Sequence, residues 1–249
     1  MIAMKKTAQP KRKPTKLKRQ PKKARLKTKT VPKQELRKIY LVDDHPLFRE
    51  GLAGIIRQRP GFSVCGEADT AAKAFGEISR LRPDLVVSDI GLSGKSGLEL
   101  VRDLHAFQPS LPILVISMHD ESLYAERVLK AGGRGYIMKQ EGPEKILQAI
   151  QQVLGGQVYV SGEMAAGILE HLVNPGARLK SSPIGKLSDR EFEVLRLIGE
   201  GRDSHEIAKS LSLSIKTVNC HRANIKSKLG LTTGTALVHY ASRWIGPES

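Results

Sequence analysis

Cysteine is scarce. Cys65 and Cys220 are the only two in 249 residues, far apart and without metal-ligand spacing. That excludes a disulfide framework and fits a reduced, cytoplasmic setting. Long apolar runs are missing as well: nothing approaches the roughly 18 residues of a membrane helix, so no membrane partner is expected. The N-terminus is basic but no apolar stretch follows it, which excludes a secretory signal, and it lacks the Ser/Arg-rich amphipathic pattern of a transit peptide. Acidic residues are nearly absent from residues 1–38, where sixteen Lys/Arg face the single acid Glu35. This stretch carries +15 of the formal net charge of +16; the other 211 residues, with 25 basic and 24 acidic groups, sum to +1. Strong basicity therefore says little about the rest of the chain. The 1–38 segment is Lys-, Pro- and Thr-rich without periodicity, and is expected to be disordered. It reads either as a basic arm tracking phosphate backbones or as a dispensable extension.

From residue 39 to 154 the pattern alternates. Short apolar runs at 39–42, 62–65, 85–88, 113–117 and 135–138 read as strands, and amphipathic stretches at 46–58, 71–81, 97–107, 122–131 and 143–153 read as helices. Five strands alternating with five helices predict an α/β domain, a doubly wound (βα)5 parallel sheet covered on both faces. Residues 155–184 carry Gly155-Gly156, Pro175-Gly176 and Pro183 and read as a linker, with one short helix around Ile168, Leu169 and Leu172. Residues 185–249 are purely helical, and a four-helix, all-α domain is expected there. Ser188-Asp189-Arg190-Glu191 is a capping box, Ser214 starts a helix, and Gly230 stops it.

In an open parallel sheet, ligands bind beyond the carboxyl ends of the strands. Asp43 and Asp44 end the first strand, Asp89 the third, Ser117 the fourth and Lys139 the fifth. Each alone reads as a solvated loop residue; together they form a constellation. Clustered carboxylates call for a cation, and oxygen-only ligands suit Mg²⁺. An Asp89 oxygen left free by the metal can attack a phosphoryl group, with Mg²⁺, Lys139 and the Ser117 hydroxyl receiving the phosphoryl oxygens.

With those residues in view, 39–154 resembles the receiver domain of bacterial two-component response regulators, through Asp43-Asp44, Asp89, Ser117, Tyr136 and Lys139 and their spacing. The resemblance implies that Asp89 is phosphorylated by a sensor histidine kinase. It implies metal contacts from Asp44 and Asp89 directly, Asp43 through water, and the Gly91 carbonyl. It also implies that Ser117 moves toward the phosphoryl group while Tyr136 rotates inward as a switch. The chain departs from the family after the acceptor, where Leu92-Ser93 replaces the common Met-Pro, and after Lys139, which is followed by Gln140. Neither Gly91 nor His119 offers a carboxylate or amide to position a hydrolytic water, so fast intrinsic dephosphorylation is not expected.

Residues 187–245 resemble the LuxR-type helix-turn-helix, through Leu187–Glu191, Glu193-Val-Leu195, Gly201, Glu206-Ile-Ala208, Ser214–Val218, His221–Ile225 and Lys228-Leu-Gly230. The whole layout is that of the NarL/FixJ type. Val218, Ile225 and Leu229 share one face of the third helix and are expected inside; Lys216, Asn219, Cys220, Ala223 and Lys226 share the other. That outer face suits the major groove of double-stranded DNA, with Asn219 positioned for adenine and Cys220 or Ala223 for a thymine methyl. Lys216, Thr217, Arg222, Lys226 and Lys228 are expected on phosphates. The family often has Lys where Asn219 stands. The resemblance further implies a homodimer when phosphorylated, joined by the fourth helix, and RNA polymerase as a downstream partner. In the unphosphorylated chain the receiver is expected to pack on, or shield, the reading helix.

Other readings compete. One makes the receiver only a docking module for a constitutive DNA binder. A phosphohydrolase with Asp89 as nucleophile would want a carboxylate two residues on, where Gly91 stands. A basic packaging protein conflicts with the near-neutral charge beyond residue 38.

Overall fold

The alternating pattern folds into a five-stranded parallel sheet, made of β1 (Arg37–Val42), β2 (Phe62–Ala68), β3 (Leu85–Ser88), β4 (Ile113–Ser117) and β5 (Gly135–Met138). The strand order is β2-β1-β3-β4-β5, with every pair parallel. The computed structural model describes residues 36–92, 94–173 and 183–245, and all of them belong to one unit, Glu35–Ser249. Most of the basic 1–38 segment and residues 174–182 of the expected linker lie outside the described residues.

Period-two alternation sorts the strand side chains onto two faces. Ile39, Leu41, Leu85, Val87, Leu114, Ile116 and Ile137 meet α1 (Pro46–Arg57) and α5 (Pro143–Leu154) in one buried cluster. Tyr40, Val42, Val86, Ile113, Val115 and Tyr136 meet α2 (Ala71–Leu81), α3 (Gly97–Phe107) and α4 (Glu121–Lys130) in the other. Because β1 lies between β2 and β3, the chain reverses its winding direction there. The crevice beyond the carboxyl ends of β1 and β3 is the topological switch point.

Residues following α5 are more ordered than a plain linker. Tyr159 forms a parallel bridge with Gly135, and Tyr136 N donates to Tyr159 O at 2.8 Å, so this segment extends the β5 edge of the sheet. Ser161 N donates to Glu121 Oε1 at 2.7 Å. The expected short helix is a twelve-residue one, α6 (Gly162–Val173).

A 3₁₀ turn, Pro183–Lys186, leads into α7 (Asp189–Gly199), α8 (Ser204–Ser210), α9 (Ile215–Leu229) and α10 (Gly234–Ile245). The Ser188–Glu191 capping box is present in both directions. A second capping box, Asp203 with Glu206, starts α8 and was not anticipated. Gly230 ends α9 in the left-handed conformation at φ 69°. Val218 and Ile225 are fully buried, as are Leu237 and Ala241 of α10, which packs against α7. The buried cluster that fills the α3–α4 side of the sheet continues through Tyr124, Phe192 and Leu195 into this helical domain.

Candidate functional site

The sheet brings Asp43, Asp89, Ser117 and Lys139 together at its carboxyl end, with Asp44 at the rim. Backbone bonds hold them there: Asp43 N donates to Ala68 O, Asp89 N to Val42 O, and Lys139 N to Ser117 O. The Lys139 ammonium lies 2.6 Å from Asp89 Oδ2 and 2.7 Å from Asp43 Oδ2, and its side chain is only 3% exposed. Its stem passes the Phe48 ring, with Nζ 4.7 Å from the centroid, a cation–π contact. His45, which sequence reasoning missed, reaches over the acids: Nδ1 is 2.9 Å from Asp44, 3.2 Å from Asp43 and 3.8 Å from Asp89. Asp43, Asp44, His45 and Asp89 each offer a ligand atom, all within 4.8 Å of one another.

The loop after β3 is fixed by close backbone approach. A Cβ on Gly97 would lie 1.9 Å from Asp89 O and 2.7 Å from Ile90 Cα, so only glycine fits where α3 abuts the acceptor loop. Gly91 N donates to Asp89 Oδ1 at 3.2 Å. Ser117 is buried, and its Oγ accepts from His119 N. Tyr136 is also fully buried, its hydroxyl donating to His119 O at 2.8 Å. The inward position expected of it after activation is thus already occupied.

The helical domain sits against the rim of this pocket. Tyr124 of α4 meets Phe192 of α7 edge-on at 5.0 Å, and His119 stacks on Tyr124 at 5.2 Å. Arg127 lies over the Phe192 ring at 4.4 Å. Its guanidinium donates to Ile184 O (2.7 Å), Leu187 O (3.0 Å) and Asp189 Oδ1 (3.1 Å). Arg102 of α3 pairs with the same Asp189. From the other side, Arg190 donates to Gly94 O in the β3–α3 loop and to Leu211 O. Glu193 accepts from Arg190 at 2.9 Å and from the Ser96 hydroxyl. Burial pushes the Glu193 carboxyl up, and burial, then the Arg196 charge, push the His119 imidazole down.

The expectation that the receiver covers the reading helix needs correction. It grips α7 and the α8–α9 turn; the Ser212 hydroxyl lies 3.6 Å from where a Cβ on Gly94 would be. Lys216, Asn219, Cys220 and Ala223 remain exposed on α9, while Thr217, Arg222 and Lys226 are half-buried. Asn219 Oδ1 accepts from the Ser204 hydroxyl at 3.3 Å. Thr217 is engaged at the helix start with Ser214, Oγ to Oγ1 2.8 Å. Lys228, expected on phosphate, instead places Nζ 2.6 Å from Glu191 Oε2. Its ammonium pairs with the Glu191 carboxylate of the α7 capping box, and a phosphate contact would have to compete with that carboxylate.

Comparison with known proteins places this arrangement. Residues 39–151 match the response regulator receiver domain family, and residues 185–241 match the luxR family of bacterial regulatory proteins. The chain is 34% identical over 206 residues to the response regulator GacA of Pseudomonas aeruginosa, covering 83% of this chain and 95% of that one.

The chain is a response regulator of the NarL/FixJ type.

The regulator is also 34% identical over 208 residues to the oxygen regulatory protein NreC of Staphylococcus aureus strain MRSA252, covering 82% and 96% of the two chains. Among solved structures, RcsB of Salmonella typhimurium superposes with a TM-score of 0.61 at 28% identity, covering 84% of this chain and 98% of that one. RcsB of Salmonella enterica serovar Typhimurium bound to a promoter in the presence of the phosphomimetic BeF3- superposes at 0.59 with 27% identity, covering 83% and 98%. The response regulator thus joins a receiver to a LuxR-type DNA-binding domain, as its DNA-binding relatives do, and the docking-module alternative is not favoured. Among the described residues no helix is long and apolar enough to cross a membrane.

Proposed function

We propose that Asp89 accepts a phosphoryl group from a sensor histidine kinase and that this event controls DNA binding by α9. The observation that carries the reading is the buried Asp43–Lys139–Asp89 arrangement at the switch point of the sheet. Lys139 already lies on the acceptor oxygen, positioned to receive phosphoryl charge. Ser117 stands beside it to contact a second phosphoryl oxygen, and Tyr136 packs behind Ser117.

Mg²⁺ fits the acidic cluster. Three of its four donors are carboxylate oxygens, as a hard cation prefers, with His45 beside them. Asp44, Asp89 and the Gly91 carbonyl would hold it, with Asp43 acting through water. When bound, it supplies charge neutralisation for phosphoryl transfer. Lys139 would then be released from its double pairing and could follow the phosphoryl group.

The exposed face of α9 supports the DNA-reading role. Asn219, Cys220 and Ala223 would meet base edges, and Lys216, Thr217, Arg222 and Lys226 would meet phosphates, with Lys228 joining once it leaves Glu191. Closure opposes binding without covering that face. The N-terminal end of a reading helix enters the groove, and here the Gly94 loop stands at the turn before it. Phosphorylation would favour an open form. That form would dimerise through α10, where Val238 is exposed, matching paired half-sites.

The test is label uptake. With Mg²⁺ and a radiolabelled small phosphodonor, the wild type takes up label, while Asp89→Asn and chelator-treated protein do not. Equal labelling of Asp89→Asn would overturn the assignment.

A further inference from the structure

Between the two domains lies a cavity of about 70 Å³, large enough to hold water. Gly91, Leu92, His119 and Tyr124 of the receiver line it from one side, and Glu193 and Arg196 of α7 from the other. Gly91, which lines it, stands next to the acceptor. A Cβ on Gly91 would lie 3.7 and 3.9 Å from the two Asp89 carboxylate oxygens and 3.9 Å from His119 Nε2. The glycine therefore leaves free the space between Asp89 and the cavity.

The receiver offers no carboxylate or amide at this place: Gly91 has no side chain, and the group beside it is the His119 imidazole, stacked on Tyr124. Glu193 is the only carboxylate among the residues lining the cavity. It is 7% exposed, and Arg190 and the Ser96 hydroxyl fix its orientation. Burial also makes it more basic than a surface carboxylate. Arg196 lines the same cavity; its guanidinium pairs with Glu200 through one terminal nitrogen, and its buried Nε has no hydrogen-bond partner among the described residues.

We propose that Glu193, supplied by the DNA-binding domain, is a catalytic residue for hydrolysis of the Asp89 phosphoryl group in the closed form. This rests on the reading that Asp89 is the acceptor. A water in the cavity, hydrogen-bonded to Glu193, attacks phosphorus from the side opposite Asp89. The new bond runs from water oxygen to phosphorus, and the bond from phosphorus to the Asp89 oxygen breaks, returning its electron pair to the carboxylate. The water proton passes to Glu193 and then to solvent, and inorganic phosphate leaves. Opening withdraws Glu193 and protects the phosphoryl group. DNA binding, which favours the open form, therefore lengthens the signal, and the coupling is reciprocal.

The full chain is labelled with radioactive acetyl phosphate, the donor is removed, and the decay is followed for wild type, Glu193→Gln, Arg127→Ala and the double variant. Glu193→Gln keeps the side-chain shape, and small-angle scattering reports whether it stays closed. It should lose label at least about tenfold more slowly than wild type, since a positioned base contributes typically about 10²–10⁴-fold. Arg127→Ala, which frees the interface without touching Glu193, should slow decay similarly, and the double variant should be no slower than either. Wild-type decay in a closed Glu193→Gln protein, or in Arg127→Ala, would overturn the proposal. Absence of label at the outset would instead overturn the assignment of Asp89.

Discussion

Replacing Arg127 by alanine should release the DNA-binding domain without phosphorylation. Arg127 is 13% exposed and makes four interdomain contacts at once: hydrogen bonds to two carbonyls, a pairing with Asp189, and the cation–π contact with Phe192. Truncating one partner of a buried, hydrogen-bonded charge pair costs about 2–5 kcal/mol. The alanine variant can relax by opening, so the low end applies. About 2 kcal/mol shifts the closing equilibrium by about 30-fold. The neighbouring Arg102 also pairs with Asp189, but its side chain is 56% exposed. An exposed pair of that kind contributes about 0.2–1 kcal/mol, so Arg102→Ala should shift the equilibrium by no more than about fivefold. Fluorescence anisotropy with promoter DNA, on unphosphorylated protein, reads the difference directly. Arg127→Ala should bind more tightly by up to the factor given, levelling off once the open form dominates, and small-angle scattering should show an expanded particle. Unchanged affinity with an expanded particle would mean that closure does not restrain DNA binding. An unexpanded particle would mean that Arg127 does not hold the domains together.

Other outcomes follow from the same geometry. Gly97→Ala should disrupt the acceptor loop, because its Cβ would collide with backbone atoms of Asp89 and Ile90; a loss of about 1–3 kcal/mol in denaturant melts, typical of overpacking, should accompany loss of label uptake. Acidification should remove the His119 contribution to closure. Burial and Arg196 depress the His119 pKa in the closed form, so its contribution is complete above the ordinary histidine range and is lost as pH falls through the depressed value, while Glu193, whose carboxyl burial pushes up, acts in the opposite sense. Scattering across pH 4–8 would check this, and His119→Gln should flatten the profile. Deleting residues 1–36 should reduce the slope of log affinity against log salt if the basic segment contacts phosphates; an unchanged slope would make it a bystander.

Much of the fold and the candidate pocket was legible in the sequence, for local reasons. Strand and helix periods are short, and the polar residues that end strands mark the functional end of a parallel sheet. Asp43, Asp89, Ser117 and Lys139 could therefore be grouped before their distances were known. The inner and outer faces of α9 also follow from spacing alone, and Val218 and Ile225 are buried as that spacing predicts. Pairings distant in sequence were not legible. Arg127 and Asp189 are 62 residues apart, and Lys228 and Glu191 are 37 apart; no local pattern announces either. The first determines how the two domains meet, and the second withdraws a cation expected on DNA. Tyr159 joining the β5 edge likewise depends on a bend after α5 that composition reads only as a glycine break.

The most direct test of the account compares promoter affinity for wild type and Asp89→Asn, each with and without Mg²⁺ and a small phosphodonor. The account predicts that the donor tightens DNA binding of the wild type only, and that the tightening disappears in Arg127→Ala because its domains are already apart. Equal affinity of the wild type with and without a verified phosphoryl group on Asp89 would contradict it.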